Sequence, residues 1–156
     1  MGLRSWCVCS PMGLKTPLLP WSMGPTIHRR PLTMADGSLL IGGSFNAFNG
    51  QETPLGRLFD TGAPDPTFLP KIQIEGNIEA IVRQADGSLV LGGNFTEYSG
   101  APVHRIVRLS ATGMLDVAYS AATGLLPARV TCLALQPDGK VLAGTDRGLR
   151  RLFTTG

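Results

Sequence analysis

The chain has 156 residues, 43% of them hydrophobic, and carries 14 basic against 11 acidic residues for a net charge of +3. This length and apolar content suffice for one folded domain with a hydrophobic core. Apart from three arginines near the end, the basic residues are scattered, whereas proteins that bind nucleic acids or membrane surfaces concentrate them in a patch or stripe. We therefore expect no nucleic-acid partner and no membrane association.

The sequence indicates neither a metal site nor a cofactor. Cys7, Cys9 and Cys132 are too few and too unevenly spaced for a disulfide framework, and no second Cys or His pair stands at zinc-ligand spacing. Only His28 and His104 are present, which excludes a histidine-rich site. Cys132 lies in an alternating apolar strand, so we expect it to be a buried, inert thiol.

Residues 1–33 match no later part of the chain. Proline, serine and lysine interrupt every apolar run in this segment, which therefore fits neither a signal peptide nor a membrane span. Where the later repeats have an apolar strand, the segment has Pro31, which cannot donate to a β-ladder. We predict that residues 1–33 are poorly ordered and foreign to the repeat.

From residue 34 onward the sequence repeats itself. Asp86–Phe95 (DGSLVLGGNF) is a near copy of Asp36–Phe45 (DGSLLIGGSF), and Asp138–Gly144 (DGKVLAG) is a shortened third copy. Offsets of 50 and 52 residues are typical of architectures in which each unit must stack on its neighbours to bury its apolar face. We predict one repeat domain over residues 34–156, with units of about 34–75, 76–127 and 128–156.

Each unit is predicted to begin with a β-hairpin. Residues 78–83 and 130–135 are apolar or alternating strands, and the Asp-Gly that follows favours the positive φ angles of a tight turn. Leu89–Leu91 is a continuous apolar run, as in a strand that is buried on both faces. The glycine pairs after this strand in the first two units, Gly42-Gly43 and Gly92-Gly93, permit a β-bulge or a close approach of another chain segment.

Aromatic residues follow the glycine pairs at matching places: Phe45 and Phe48 in the first unit, Phe95 and Tyr98 in the second. We expect their rings to fill the gap between neighbouring units; the alternative is a platform on which a sugar stacks. Asn94 begins a formal glycosylation sequon, but the sequon overlaps a position that we expect to be buried.

The third strand of the second unit is predicted over residues 103–109, and a glycine turn follows it. Asp65 and Asp116 then occupy matching places in the first two units. We predict that each aspartate braces a turn or caps a fourth, short edge element. A calcium role is the alternative, although calcium requires six to eight oxygen ligands.

The third unit is shortened. Seven steps separate Gly144 from Arg151, against sixteen from Gly92 to Arg108. The aromatic loop is therefore missing from this unit, and residues 145–148 are predicted to form a direct turn. Since no stretch of the chain shows helical periodicity of useful length, we predict an all-β chain.

The motif D-G-[SK]-[LV]-[LV]-x-G-G-x-F-x-x-[FY]-x-G, followed by R-L-x-x-x-G-x-x-D-x-x-[FY], resembles the delta-60 repeat, a bacterial family similar to β-propeller repeats. The third copy also resembles the propeller repeats of two-component sensor ectodomains. The resemblance covers about residues 34–156 and implies four-stranded blades, an extracellular or surface location and no established enzymatic activity. It predicts an all-β partial β-propeller of about two and a half four-stranded antiparallel blades.

A propeller presents partners on loops at one face of a ring, which places the expected contact surface on residues 46–50, 96–102 and 111–117. We expect a non-catalytic binding or scaffolding module, a C-terminal fragment of a larger propeller, whose partner is a protein or a carbohydrate. Because propellers have about four to eight blades, these units cannot close a ring. Their uncovered faces are expected to self-associate.

The alternative function is a fragment of a propeller hydrolase or lactonase. Such an enzyme needs carboxylates or metal ligands that converge at the channel mouth. The acids outside the repeated turns, Glu75, Glu79 and Glu97, have no His or Asp companions that break the repeat, and no nucleophile motif is present. We therefore assign no catalytic residue and expect that the chain is not an enzyme.

Overall fold

The computed structural model describes residues 31–44, 47–50, 52–68, 76–98, 100–122 and 128–152. In these ranges nearly all regular structure is antiparallel β-sheet, arranged as three successive three-stranded sheets, one for each sequence repeat. The predicted all-β partial propeller is confirmed, and we call the three sheets blades 1, 2 and 3. The prediction of poor order for residues 1–33 falls, up to residue 30, outside the described residues.

Blade 1 contains β1 (Leu32–Thr33), β2 (Leu39–Gly42) and β3 (Leu55–Leu58). Blade 2 contains β4 (Ile78–Arg83), β5 (Leu89–Gly93), the small hairpin of β6 (Glu97–Tyr98) and β7 (Ala101–Pro102), and β8 (Ile106–Leu109). A short helix, α1 (Val117–Ala122), leads towards blade 3, which contains β9 (Val130–Leu135), β10 (Val141–Thr145) and β11 (Gly148–Leu152). The first strand of each blade, which we call its leading strand, pairs with the middle strand, and the middle strand pairs with the third.

An Asp-Gly turn joins the first two strands of every blade, as predicted. Gly37, Gly87 and Gly139 have φ angles of 80°, 88° and 81°, in a region that other residues rarely adopt. The turn is closed by the same backbone bond each time; in blade 2 the N–H of Gln84 donates to the carbonyl of Ser88 at 2.8 Å. Three copies of one dipeptide therefore produce three equivalent hairpins.

The hydrophobic core lies between the blades. Alternate side chains of β5 enter different clusters: Leu89 and Leu91 pack with residues of blade 1, whereas Val90 packs with residues of blade 3. All three side chains are fully buried, which confirms the prediction of a strand that is covered on both faces. Each blade therefore depends on its neighbours for burial, as in other repeat proteins.

Gly42 and Gly92 lie where the next blade approaches most closely. A Cβ atom at Gly92 would lie 2.5 Å from Cγ1 of Val130, and one at Gly42 would lie 2.7 Å from Cδ1 of Ile81. Only glycine leaves this space free. The predicted bulge is also present, as a register shift in β4 opposite Gly92 and Gly93. These glycines therefore allow the close approach of the next blade and the bulge. Gly42, Gly92 and Gly93 all lack a positive φ angle.

In the described residues of blades 1 and 2, no further strand pairs with the outer side of the third strand of the sheet, where the sequence predicted a fourth, edge element. Its place is taken by one isolated bridge in blade 1, between Leu58 and Pro64, and one in blade 2, between Leu109 and Leu115. Pro64 has no N–H for a ladder, and shortly after Leu115 the chain enters α1. The main sheet of each described blade therefore has three strands.

Asp116 accounts for the start of α1. Its Oδ1 accepts a hydrogen bond from the N–H of Tyr119 at 3.0 Å, which is the arrangement of a helix N-cap. In blade 1, Oδ1 of Asp65 accepts a hydrogen bond from the N–H of Thr67 at 2.8 Å. The prediction that these aspartates brace a turn or cap an element is confirmed, but the element in blade 2 is a helix of six residues, too short to show periodicity.

Two predicted departures from the repeat pattern are present. Thr145 and Gly148 pair across a direct turn between β10 and β11, and the Thr145 hydroxyl donates to the carbonyl of Gly148 at 2.8 Å. In blade 1 the leading strand has two residues, against six in β4 and in β9. Pro31, immediately before β1, cannot donate to the ladder.

Candidate binding surface

Two of the three segments predicted to form a contact surface are joined in blade 2. Segment 96–102 contains the β6–β7 hairpin, and the hydroxyl of Tyr98 donates to the carbonyl of Gly113 at 3.1 Å. Gly113 lies in the turn that follows β8. We call the described residues of segments 96–102 and 111–117, which leave out Ser99, the blade 2 loop surface. The third segment, 46–50, belongs to blade 1 and is described from residue 47 onward.

Ser110 fixes the turn after β8. Its hydroxyl oxygen accepts hydrogen bonds from the N–H of Met114 at 3.1 Å and from the N–H of Thr112 at 3.3 Å. Its backbone N–H donates to the carbonyl of Met114 at 2.7 Å. Gly113 supplies a φ angle of 92°. A serine that satisfies neighbouring backbone groups holds a turn by local bonds, so the loop has a defined conformation.

Arg108 ties this turn to the sheet. Its Nε lies 3.0 Å from Oδ2 of Asp116, and its guanidinium carbon lies 5.1 Å from the ring centre of Tyr119, within cation-π range. Blade 1 has the corresponding ion pair, in which Nε of Arg57 lies 3.4 Å from Oδ2 of Asp65. Both aspartates considered as calcium ligands are thus paired with arginine.

Two aspartates, Asp65 and Asp86, lie in turns that stabilise their carboxylate forms. Burial raises the pKa of Asp65, but hydrogen bonds from Thr67 and the charge of Arg57 outweigh that effect, so its pKa lies below the ordinary value. The pKa of Asp86 is also lowered, chiefly because the backbone N–H of Ser88 donates to the carboxylate. Each of these two carboxylates is thus stabilised by hydrogen bonds within its own turn.

The acids singled out from the sequence outside the turns have different surroundings. Glu79 is buried on β4 and forms an ion pair with Arg129 across the interface between blades 2 and 3. Glu97 is exposed on β6, and Glu75 lies outside the described residues, as do Cys7 and Cys9. In the described part of the chain, no group of three or more His, Cys, Asp or Glu side chains could hold a metal ion.

The loop aromatics of blade 2 belong to the core. Phe95 is fully buried and Tyr98 is 3% exposed, both in the cluster that joins blades 1 and 2, and the ring of Phe48 lies against Gly56. Burial raises the pKa of Tyr98. A ring that stacks on a sugar must expose one face, so the gap-filling prediction is confirmed for Phe95 and Tyr98. Phe45 lies outside the described residues.

Two large apolar side chains are exposed on the blade 2 loop surface. Met114 is 72% exposed and Val117 is 69% exposed. The corresponding positions of blade 1 hold Ala63 and Pro66. Segment 111–117 was predicted from the sequence as a contact segment, but these two residues were not singled out. The available signal is that both positions depart from the first repeat towards larger or more flexible apolar side chains.

Comparisons with known proteins agree with this geometry. The model of a β-propeller domain of unknown function, DUF5122, matches residues 35–68 and 84–119. The match supports a β-propeller-like repeat family. Its two segments cover most of blades 1 and 2, and the second ends at Tyr119, so that it includes the blade 2 loop surface. No curated protein matches the chain.

Among solved structures, this propeller chain is similar to the extracellular domain of a hybrid two-component system from B. thetaiotaomicron. The match has a TM-score of 0.50 and 18% sequence identity, and it covers 79% of this chain. The chain spans 14% of that much longer chain. At this identity the likeness concerns the fold alone.

Blade 3 of the propeller corrects one prediction. Cys132 was expected to be buried, but it is exposed. Val130 and Leu133 of β9 pack in the cluster shared with blade 2, because a register shift between Val130 and Cys132 interrupts the alternation of the strand. The side chain of Cys132 points away from that of its neighbour Leu133. Cys132 lies on the other face, which the described residues leave uncovered. Separately, no helix in the described ranges is long and apolar enough to cross a membrane.

Proposed function

We propose that this chain is a non-catalytic binding or scaffolding module that contacts a protein partner through the blade 2 loop surface. The observation that carries the proposal is the exposure of Met114 and Val117 beside a turn that Ser110 and Tyr98 hold in place. Methionine is enriched at protein interfaces, and a fixed backbone lowers the entropic cost of binding.

Two observations favour this proposal over the alternatives. Burial of Phe95 and Tyr98 removes the two aromatic rings of the blade 2 loop as a platform for a carbohydrate, which favours a protein partner at this surface. The hydrolase or lactonase alternative requires free, converging carboxylates, whereas Asp65, Asp116 and Glu79 are each paired with an arginine. We therefore propose that the chain is not an enzyme.

Location and repeat type are part of the same proposal. The similar solved structure is an extracellular domain, which supports an extracellular or cell-surface location. The repeated motif over residues 36–50 and 86–100 supports assignment to the delta-60 repeats within the propeller family.

The experiment compares the full chain with the variant Met114→Asp/Val117→Asp in cross-linking and mass spectrometry of cells that make the protein. The matched control is Phe59→Asp, since Phe59 is 39% exposed and lies in the corresponding turn of blade 1. We expect one protein to be cross-linked by the wild type and the control and lost from the double variant. A partner retained by all three proteins would contradict the proposed surface.

The proposed lack of catalysis has its own test. The purified chain is incubated with 4-nitrophenyl acetate and with a γ-lactone, and the rates are compared with those of Glu79→Gln. We expect no turnover above the buffer rate. Turnover by the wild type that the Glu79 variant loses would establish the hydrolase alternative.

A further inference from the structure

Every blade carries the same three-residue arrangement on one face of its sheet. In blades 1 and 2 this is the face that contacts the next blade in the chain. The arrangement consists of an aliphatic residue on the middle strand, a glycine two positions later, and an aliphatic residue opposite that glycine on the third strand. We call this arrangement the seat. The seats are Leu40, Gly42 and Leu55 in blade 1; Val90, Gly92 and Ile106 in blade 2; and Leu142, Gly144 and Leu149 in blade 3.

The leading strand of the next blade fills the first two seats. Ile78 and Ile81 of β4 approach the glycine of the blade 1 seat, and Val130 and Leu133 of β9 approach that of blade 2. In both cases the two side chains come from the first and fourth residues of a leading strand. A register shift within each strand explains how residues three apart reach the same side, since strict alternation would separate them.

The third seat differs from the other two in two ways. The side chain nearest its glycine is Cys132 of the same blade and not a residue of a following blade, and its aliphatic side chains are more exposed. Leu55 and Ile106, opposite the glycines of blades 1 and 2, are fully buried, whereas Leu149 at the same position of blade 3 is 68% exposed. Leu142 is half-buried, while its counterparts Leu40 and Val90 are fully buried. Apolar side chains that are arranged as a filled interface elsewhere in the molecule indicate a surface that is made to be covered.

We propose that the blade 3 seat docks the leading strand of a further propeller blade, one with aliphatic side chains at its first and fourth positions. This rests on the scaffolding role proposed above and names the partner of blade 3. The proposed interface would be the third in a series, after the interfaces between blades 1 and 2 and between blades 2 and 3, and it repeats their strand register.

A second copy of this chain does not supply the required strand. Both of its aliphatic pairs, on β4 and β9, are already seated. At the corresponding positions before blade 1, the sequence has His28 and Pro31, and a proline cannot take part in a regular leading strand. The occupant is therefore a blade with a full leading strand, not blade 1 of another copy.

The test extends the chain by one blade. Residues 1–152 are continued directly by a second copy of residues 110–152, because Arg151-Leu152 then leads into Ser110 as Arg108-Leu109 does. Leu149→Cys in the original blade 3 is made the single thiol by Cys7→Ser, Cys9→Ser and Cys132→Ser, the last in both copies of residues 110–152. The rate of its modification by iodoacetamide is compared with that in the full unextended chain carrying the same substitutions.

We expect modification to be about tenfold slower or more in the extended chain, because the thiol takes the buried place of Ile106. In a matched control the appended copy carries Val130→Ser and Leu133→Ser, and we expect the protection to be lost. Equal rates in the extended and unextended chains would overturn the proposal, as would full protection in the control.

Two other outcomes are informative. Protection in the unextended chain that grows with protein concentration would mean that a second copy occupies the seat, and would overturn the assigned occupant. Met114→Asp/Val117→Asp should leave protection of position 149 unchanged. The cross-linking experiment tests the proposed loop surface and the thiol modification tests the proposed blade 3 seat, so either proposal can fail without the other.

Discussion

Blades 2 and 3 carry the same seat, yet its side chains are buried in blade 2 and half-buried or exposed in blade 3. Ile106 and Leu149 stand at the same position, opposite a glycine, and one is fully buried while the other is 68% exposed. Both blades have the same strand order and the same Asp-Gly turn. The difference shows that the hydrophobic stabilisation of a blade resides in the contact with its neighbour and not in the blade itself.

The largest expected effect compares truncations at these two positions. Ile106→Ala should lower the free energy of unfolding by about 2–5 kcal/mol, because it leaves a cavity between blades 2 and 3. Leu149→Ala should change it by less than about 0.5 kcal/mol, since its side chain is already in solvent. Chemical denaturation of both variants measures the difference. Equal losses would mean that the two seats are equally covered.

The next effect compares insertion into the two glycine positions. Gly92→Val should cost about 1–3 kcal/mol, because the new side chain meets Val130 of the next blade. In Gly144→Val the new side chain meets the sulfur of Cys132, which is exposed and free to rotate away. We expect a clearly lower melting temperature for the first variant than for the second. A lower melting temperature for Gly144→Val than for Gly92→Val would contradict the close approach of β9 to Gly92.

A smaller effect tests the loop that blade 2 has and blade 3 lacks. Tyr98→Phe removes the hydrogen bond to the carbonyl of Gly113 and should cost about 1 kcal/mol. Blade 1 has Phe48 at this position, so the ring itself is compatible with the repeat. Amide hydrogen exchange should become faster at Gly113 and Met114 and remain unchanged in β10. Unaltered exchange in the loop would show that Tyr98 does not hold it.

The smallest effect concerns acid stability in blade 1. The folded-state pKa of Asp65 is lowered, so its carboxylate contributes stability above its unfolded pKa, and that contribution is lost as the pH falls through the folded value. Wild-type stability should therefore decline below about pH 4, and Asp65→Asn should decline less steeply over the same range. Parallel curves from pH 7 to pH 2 in thermal denaturation would argue against the contribution of Asp65.

Local signals in the sequence were sufficient for the hairpins and the core. Asp86-Gly87 specifies a turn by its own conformational preferences, and the continuous run Leu89–Leu91 is explained only by burial on both faces. The repeat then transfers each conclusion to the other blades. The hairpins and the buried middle strand could be predicted because they depend on residues adjacent in the sequence or on the repeat itself.

The features that were mispredicted depend on contacts made by the rest of the molecule. Cys132 alternates like a buried residue, but its exposure depends on whether a further blade covers it. Single bridges and a helix that Asp116 caps stand in place of the predicted fourth strand. An aspartate at this position of the motif can brace a turn or cap a helix, and the motif alone does not distinguish the two. Met114 and Val117 became notable only once their exposure was known.

The Asp-Gly turns have a chemical consequence. In this dipeptide the glycine nitrogen can attack the aspartate side chain, and the resulting succinimide opens to isoaspartate. In every blade, however, that N–H already donates to the carbonyl three residues before it, at 3.0 Å for Gly37, 3.0 Å for Gly87 and 2.9 Å for Gly139. Folding should therefore protect the backbone from ageing at these sites, and isoaspartate should accumulate first in the hairpin that opens most often.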